Sequence, residues 1–131
     1  MRSAVIIDAK RTPIGRGVKG TYAATRPETL GSVVLEAMKA QLQDWKDLED
    51  VLVGCAMPEG EQGMNFARLI SFKAGLPITA GAATVNRFCG SSQQTVLNAQ
   101  HAIVAGAGDL FLAGGVESMS RPSPMHVDGF T

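Results

Sequence analysis

Apolar positions recur along the chain in short runs separated by glycine, proline and charge. Ser3 to Ala9 is a short apolar run bounded by charged residues, and it predicts a buried strand. A loop rich in Gly, Pro and basic residues follows, from Lys10 to about Arg26. Thr25 with Glu28 three positions on has capping-box spacing, and Pro27 falls in the first turn of the helix this announces. Leu30, Val33, Val34, Ala37, Met38 and Leu42 continue that helix at 3.6-residue spacing, and Trp45 lies past the stripe, where it is expected to pack over the helix end. Asp50 to Gly54 predicts a second strand. Asn65 is a helix cap before Phe66, Leu69 and Ile70, and Gly75 closes that helix. Ala82 to Asn86 predicts a third strand. Val96, Ala99 and Ile103, with Leu97 and Val104, mark a helix from about Cys89 to Ala105. Leu110 to Ala113 predicts a fourth strand, stopped by Gly114 and Gly115. From Glu117 onward Pro, Ser and Met dominate and periodicity is lost.

Strands alternating with helices predict an α/β fold: a mostly parallel sheet, right-handed crossovers and helices on both faces. Composition agrees. The 131 residues are 45% hydrophobic and 18% charged, which suits a globular chain with a core rather than a disordered one. The formal net charge is zero and the twelve Lys and Arg form no basic run, so neither nucleic acid nor an anionic membrane is indicated as a partner. No apolar stretch reaches the length of a membrane span. The apolar run near the N-terminus lacks a small-residue cleavage site after it and reads as a strand, not a signal peptide. Two cysteines, Cys55 and Cys89, make neither a disulfide framework nor a zinc site, and no metal is expected. A reducing, cytoplasmic location is the expectation.

Chemistry is most expected in the segment Thr84-Val-Asn-Arg-Phe-Cys-Gly-Ser-Ser92. Cys89 sits where a strand ends and a helix begins, and sites in open α/β sheets form beyond the carboxyl ends of strands. The first turn of a helix offers unpaired N–H groups and partial positive charge, both favourable to an anion. A free thiol with a pKa near 8.5 is only about 3% thiolate at pH 7, and a helix N-terminus or a cationic neighbour can raise that fraction. Gly90, Ser91 and Ser92 are small enough to let a substrate carbonyl reach the sulfur, and the Cys89 N–H could serve an oxyanion. An ordinary small core cysteine fits the same local context equally well.

Three motifs in order break that tie. VNRFCGSS followed by AGGVESMSRP resembles the active-site region of thiolases; KRTPIGRG resembles the N-terminal signature of the family; and EQGMNFARLISFKAGLP resembles the helix that precedes the nucleophile strand. The resemblance runs from about Val5 to Ser120. It looks closer to the degradative 3-ketoacyl-CoA thiolases than to the biosynthetic acetoacetyl-CoA type, which more often has Ser-Gly where this chain has Ser91-Ser92. Gln93 and Thr95 depart from both patterns, which leaves the pocket shape open.

The resemblance implies that Cys89 is an acyl-accepting nucleophile, with CoA and acyl-CoA as substrates and no permanently bound cofactor. Cys89 would attack a 3-ketoacyl-CoA, expel acetyl-CoA and hold the shortened acyl group as a thioester until CoA removes it; the reverse is a Claisen condensation. It further implies an activating His, a second Cys acting as acid/base and a water-holding Asn–His pair, all beyond Thr131, together with most CoA contacts. Residues 1–116 would then be an N-terminal domain lacking its last strand, and 117–131 the start of an inserted loop domain. The chain alone would be inactive, and the intact protein a homodimer or homotetramer with the Ala82 to Asn86 strand at the interface. The competing reading is a non-catalytic fragment or partner-binding module of the same fold, which the length of the intact reading frame separates.

Other chemistry-bearing residues read as framework. Gly15-Arg-Gly-Val-Lys-Gly20 spells G-x-G-x-x-G, but five residues separate it from the preceding strand and the helix starts only near Pro27, so a dinucleotide turn does not fit. His101 lies on a helix face, and His126 in the terminal Pro/Met-rich segment is at no family base position. Cys55 reads as a buried small residue, Glu59 and Glu61 as loop carboxylates, and Met57 and Met64 as packing or loop residues. Met119 and Met125 are candidates for an acyl channel.

Overall fold

The computed structural model describes residues 2–41 and 44–121. Helix α1 (Pro27–Lys39) opens with Pro27, whose absent N–H would be unpaired there anyway. The capping box does not form: Arg26 is the N-cap, without a side-chain cap bond, and Glu28 turns back to pair with the Arg26 guanidinium. At the other end Trp45, 7% exposed, donates from Nε1 to the carbonyl of Lys39 at 3.1 Å, so the ring covers the helix terminus as its place in sequence suggested. Leu42, the last member of the expected stripe, lies outside the described residues.

Three parallel strands follow: β1 (Leu48–Gly54), β2 (Gly81–Val85) and β3 (Leu110–Gly115), in the order β2-β1-β3. Between them run α2 (Phe66–Lys73) and α3 (Ser91–Ala105). The path steps from β1 to β2, then reverses past β1 to reach β3. Right-handed crossovers in opposite directions must place their helices on opposite faces. The packing agrees. Val51 and Val53 of β1 meet Phe66 and Ile70 of α2 in one buried cluster that α1 covers. On the other face α3 lies against β1 and β3 through Ala99 and Thr95. Phe66 is fully buried and Ile70 1% exposed; truncating either to alanine would cost about 2–5 kcal/mol. Gly75, with φ +64, ends α2 in the left-handed conformation that glycine adopts freely.

Two expectations are corrected. Gly114 and Gly115 do not stop β3; both pair with β1, opposite Val53 and Gly54. The first expected strand, Ser3 to Ala9, is not one. Its backbone joins no sheet among the described residues, and Val5, Ile6 and Ile7 are largely exposed. Strand membership requires a neighbouring ladder; both edges of β1 are taken by β2 and β3, and the segment pairs with the outer edge of neither. The segment instead flanks a cavity of about 1100 Å³, lined also by Leu30, Val34, Met38, Ile103 and Leu110. Among the described residues no helix is long and apolar enough to cross a membrane.

Candidate active site

The loops after β1 and β2 lead to helices on opposite faces, and this divergence opens a crevice beyond the carboxyl ends of those two strands. Cys55 follows β1 and Cys89 follows β2, so the topology brings both cysteines to this end of the sheet. Cys55 is 1% exposed; Cys89 is exposed.

Cys89 sits in a tight turn, Asn86 to Ser91, between β2 and α3. The helix starts two residues later than its periodicity predicts, at Ser91 with Gly90 as N-cap, so the cysteine stands just outside the first turn. Gly90 N–H donates to the Arg87 carbonyl at 3.0 Å and Ser91 N–H to the Phe88 carbonyl at 3.0 Å. Among the described residues the Cys89 N–H has no acceptor, which leaves it available to a ligand oxygen. Phe88 has φ 47, a left-handed backbone that costs a non-glycine residue about 1–2 kcal/mol. Such strain persists where surrounding bonds over-determine it, and it concentrates at functional sites.

The start of α3 lies directly over β1. A Cβ built on Gly54 would overlap the backbone of Ser91 and Ser92, so only glycine permits this approach. Ser91 is 3% exposed and therefore does not present a small open wall to substrate, as its size had suggested; its hydroxyl is committed inside the turn. Thr95 is fully buried, with its hydroxyl 2.7 Å from the Ser92 carbonyl and 3.0 Å from that of Gly114. It ties α3 to β3 and shapes no pocket. Gln93 does face solvent, in a cleft of about 380 Å³ beside the turn that Arg87, Gly90, Gln94 and Leu97 also line. The larger cavity is not lined by Cys89, which is exposed in the turn beyond β2.

The neighbouring strand end is built differently. Glu117 carboxylate oxygens accept from Ala56 N–H at 2.5 Å, Met57 N–H at 3.4 Å and the Gln62 side-chain amide at 3.0 Å, and Cys55 Sγ lies 3.6 Å away. Gln62, fully buried, also donates to the Met57 carbonyl and accepts from Ser118 N–H at 2.6 Å. Burial, and then the Glu117 charge, push the Cys55 thiol up to about 12. Cys55 is thus held as a neutral thiol. Both lie inside segments that carry the family resemblance, Glu117 in AGGVESMSRP and Gln62 in EQGMNFARLISFKAGLP, but no periodicity or local pattern marks either as a partner of Cys55.

α2 is fastened to β2 by Asn65. Its side chain caps Arg68 N–H at 3.2 Å, as its position predicts, and donates to the Ala82 carbonyl at 2.8 Å, while Thr84 Oγ1 accepts from Ala67 N–H at 3.0 Å. Glu61 is no catalytic carboxylate partner of Glu59; Arg121 binds it at 2.6 and 2.7 Å and holds its carboxyl below the usual range. His101 is exposed on α3. Met119 is exposed and borders the larger cavity. Met125 and His126 lie outside the described residues. The Gly15 to Gly20 run follows no strand and ends in turns before α1, so no phosphate-cradling βα turn is present there.

Residues 4–129 match the family model of the thiolase N-terminal domain. The chain belongs to the thiolase family. It is 46% identical over 129 residues to a 3-ketoacyl-CoA thiolase of Bacillus subtilis, covering 97% of this chain and 33% of that protein. A 3-ketoacyl-CoA thiolase of Shewanella frigidimarina is 45% identical over 128 residues, covering 96% and 33% of the two chains, and one of Alcanivorax borkumensis is 44% identical over 127 residues, covering 95% and 32%. The chain spans about a third of the length of these curated thiolases, and the match includes β1, the Cys89 turn and the Glu117 anchor alike.

Proposed function

We propose that the protein carrying this chain is a 3-ketoacyl-CoA thiolase and that Cys89 is its acyl-accepting nucleophile. The observation that carries this reading is the exposed Cys89 thiol, at the end of β2 and next to the switch between crossovers, in a thiolase N-terminal domain. In this reading the sulfur adds to the 3-keto carbonyl of a 3-ketoacyl-CoA. The bond between C2 and C3 breaks, its electron pair is protonated as acetyl-CoA leaves, and the shortened acyl group stays on Cys89 as a thioester. The thiol of a second CoA then takes the acyl group and returns the proton. In this reading the Cys89 N–H, which has no acceptor among the described residues, would stabilise the oxyanion formed on each addition.

Residues 1–116 form the body of the N-terminal unit in this proposal, and 117–131 begin the substrate-facing loop domain. The first residues of that second segment fold back through Glu117 and Ser118 onto the loop after β1, which gives it a fixed root. CoA and acyl-CoA are the proposed substrates, with no resident cofactor, and most of their contacts arise beyond Thr131. The protein is proposed to act as a homo-oligomer in the cytoplasm. Among the described residues β2 is an edge strand, which supports such pairing, since free backbone groups at an edge can accept a second strand.

The test is a CoA-dependent cleavage assay on acetoacetyl-CoA with the full-length protein, full-length Cys89→Ala and the 131-residue chain. Activity is expected only in the full-length wild type. General acid–base groups contribute about 10²- to 10⁴-fold each, and the proposal draws them from beyond Thr131. Robust turnover by the short chain would overturn that division of labour, and retained turnover in Cys89→Ala would overturn the nucleophile itself.

A further inference from the structure

The residue before Cys89 adopts a backbone conformation that a bulky side chain avoids, and its own side chain does not hold it there. Phe88 has φ 47, yet the residue is 76% exposed. Hydrogen bonds to the Phe88 peptide groups hold it instead. The Phe88 N–H donates to Asn86 Oδ1 at 2.9 Å. The Phe88 carbonyl accepts from the Ser91 hydroxyl at 2.5 Å and from Ser91 N–H at 3.0 Å. The Ser91 oxygen in turn accepts from Arg87 N–H at 2.9 Å. A single buried hydroxyl thus receives from one side of the turn and donates to the other.

A trans peptide is planar, with its C=O and N–H directed oppositely. Fixing the Phe88 carbonyl on Ser91 therefore directs the Cys89 N–H away from the start of α3. It also sets the direction in which the Cys89 Cα carries its thiol. Ser91 is a firm support for this, because its backbone is pressed against Gly54 of β1.

We propose that Ser91 is a positioning residue for Cys89: by holding Phe88 left-handed, its hydroxyl aims both the Cys89 thiol and the Cys89 N–H at the incoming carbonyl. The proposal rests on the reading of Cys89 as nucleophile. Ser91 touches no substrate and acts only through the Phe88 backbone.

The full-length protein and its Ser91→Ala, Asn86→Ala, Phe88→Gly and Ser91→Ala/Phe88→Gly variants test this. Ser71→Ala is the control, since it deletes another buried hydroxyl, 2.7 Å from the Ala67 carbonyl in α2. The readouts are kcat and KM with acetoacetyl-CoA and the rate of Cys89 alkylation by iodoacetamide. Misaiming a reacting group by about 1 Å can cost about 10²-fold. Ser91→Ala is expected to lower kcat about ten- to a hundredfold, with KM within about threefold, and to slow alkylation as well. Asn86→Ala should act in the same direction and less. Glycine accepts the left-handed conformation without strain, so Ser91→Ala should cost several-fold less in the Phe88→Gly background than alone. Ser71→Ala should lower the melting temperature and leave kcat and alkylation unchanged. Unchanged kcat and alkylation in Ser91→Ala, or full additivity with Phe88→Gly, would overturn the proposal; if Ser91→Ala does not fold, unchanged kcat in Asn86→Ala would do so. Turnover by Cys89→Ala would instead remove the nucleophile reading beneath it.

Discussion

Cys55 and Cys89 occupy equivalent places, each just past the carboxyl end of a parallel strand in one sheet, and the molecule treats them in opposite ways. Beyond β1 the chain is roofed over. The Glu117 carboxylate collects the Ala56 and Met57 N–H groups, the Gln62 amide donates to the Met57 carbonyl and to Glu117, and the thiol beneath is buried and held neutral. Beyond β2 the chain makes a strained turn whose polar groups are satisfied from below by Ser91, and the thiol above is left in the open. A strand end in an α/β sheet is therefore a place where a site can be built, and the side chains that satisfy the local backbone decide whether it is.

The strongest way to break this contrast is to exchange the thiols for methyl groups. Cys89→Ala in the full-length protein should lower kcat by at least about 10⁴-fold, as loss of a nucleophile does, whereas Cys55→Ala should keep kcat within about threefold. Comparable losses in both would end the distinction. Next in size is chemical access. In the folded protein near neutral pH, iodoacetamide should label Cys89 at least about 10²-fold faster than Cys55, read by peptide mapping, because a buried thiol reacts only through opening of the structure. Equal labelling would refute it.

Smaller effects sharpen the Cys55 side. Glu117→Ala strips acceptors from Ala56 N–H and the Gln62 amide, and should cost about 1–3 kcal/mol in urea unfolding while leaving the Cys89 alkylation rate unchanged. A parallel fall in Cys89 reactivity would show the two strand ends to be one coupled unit. Last comes pH. The Cys55 thiol is raised to about 12 in the folded chain, from an ordinary value of 9.0, so the unfolded chain releases this proton first. Its effect on stability is absent below about pH 9, and stability should fall as pH climbs from there towards about 12. Cys55→Ala should make the urea midpoint fall less steeply between pH 9 and 11; an unchanged slope would mean that the thiol ionises alike in both states.

Much of this architecture was legible in the residues. The period-3.6 stripes of α1 and α2, the Asn65 cap and the Gly75 terminator act over one or two helical turns, so a local pattern suffices to announce them. The same holds for the strand–helix junction at Cys89. What escaped is what depends on distant neighbours. The capping box at Thr25 lost to the pull of Arg26 on Glu28, and Ser3 to Ala9 is apolar enough for a strand but has no strand beside it. Gly114 and Gly115 stay in β3 because β1 supplies the ladder that glycine alone does not favour.

The sequence by itself determined that this is an α/β thiolase domain with a reactive-looking cysteine at a strand-to-helix turn, since family motifs and periodicity are properties of contiguous residues. The sequence already reads Cys55 as buried, but how that thiol is sealed and Cys89 left open only the tertiary structure decided. That choice rests on Glu117 reaching across 61 residues to Ala56, on Gly54 admitting the start of α3, and on the Ser91 hydroxyl bridging Arg87 and Phe88. Each is a hydrogen bond or a steric allowance between groups whose proximity folding creates, and no pattern along the chain encodes it.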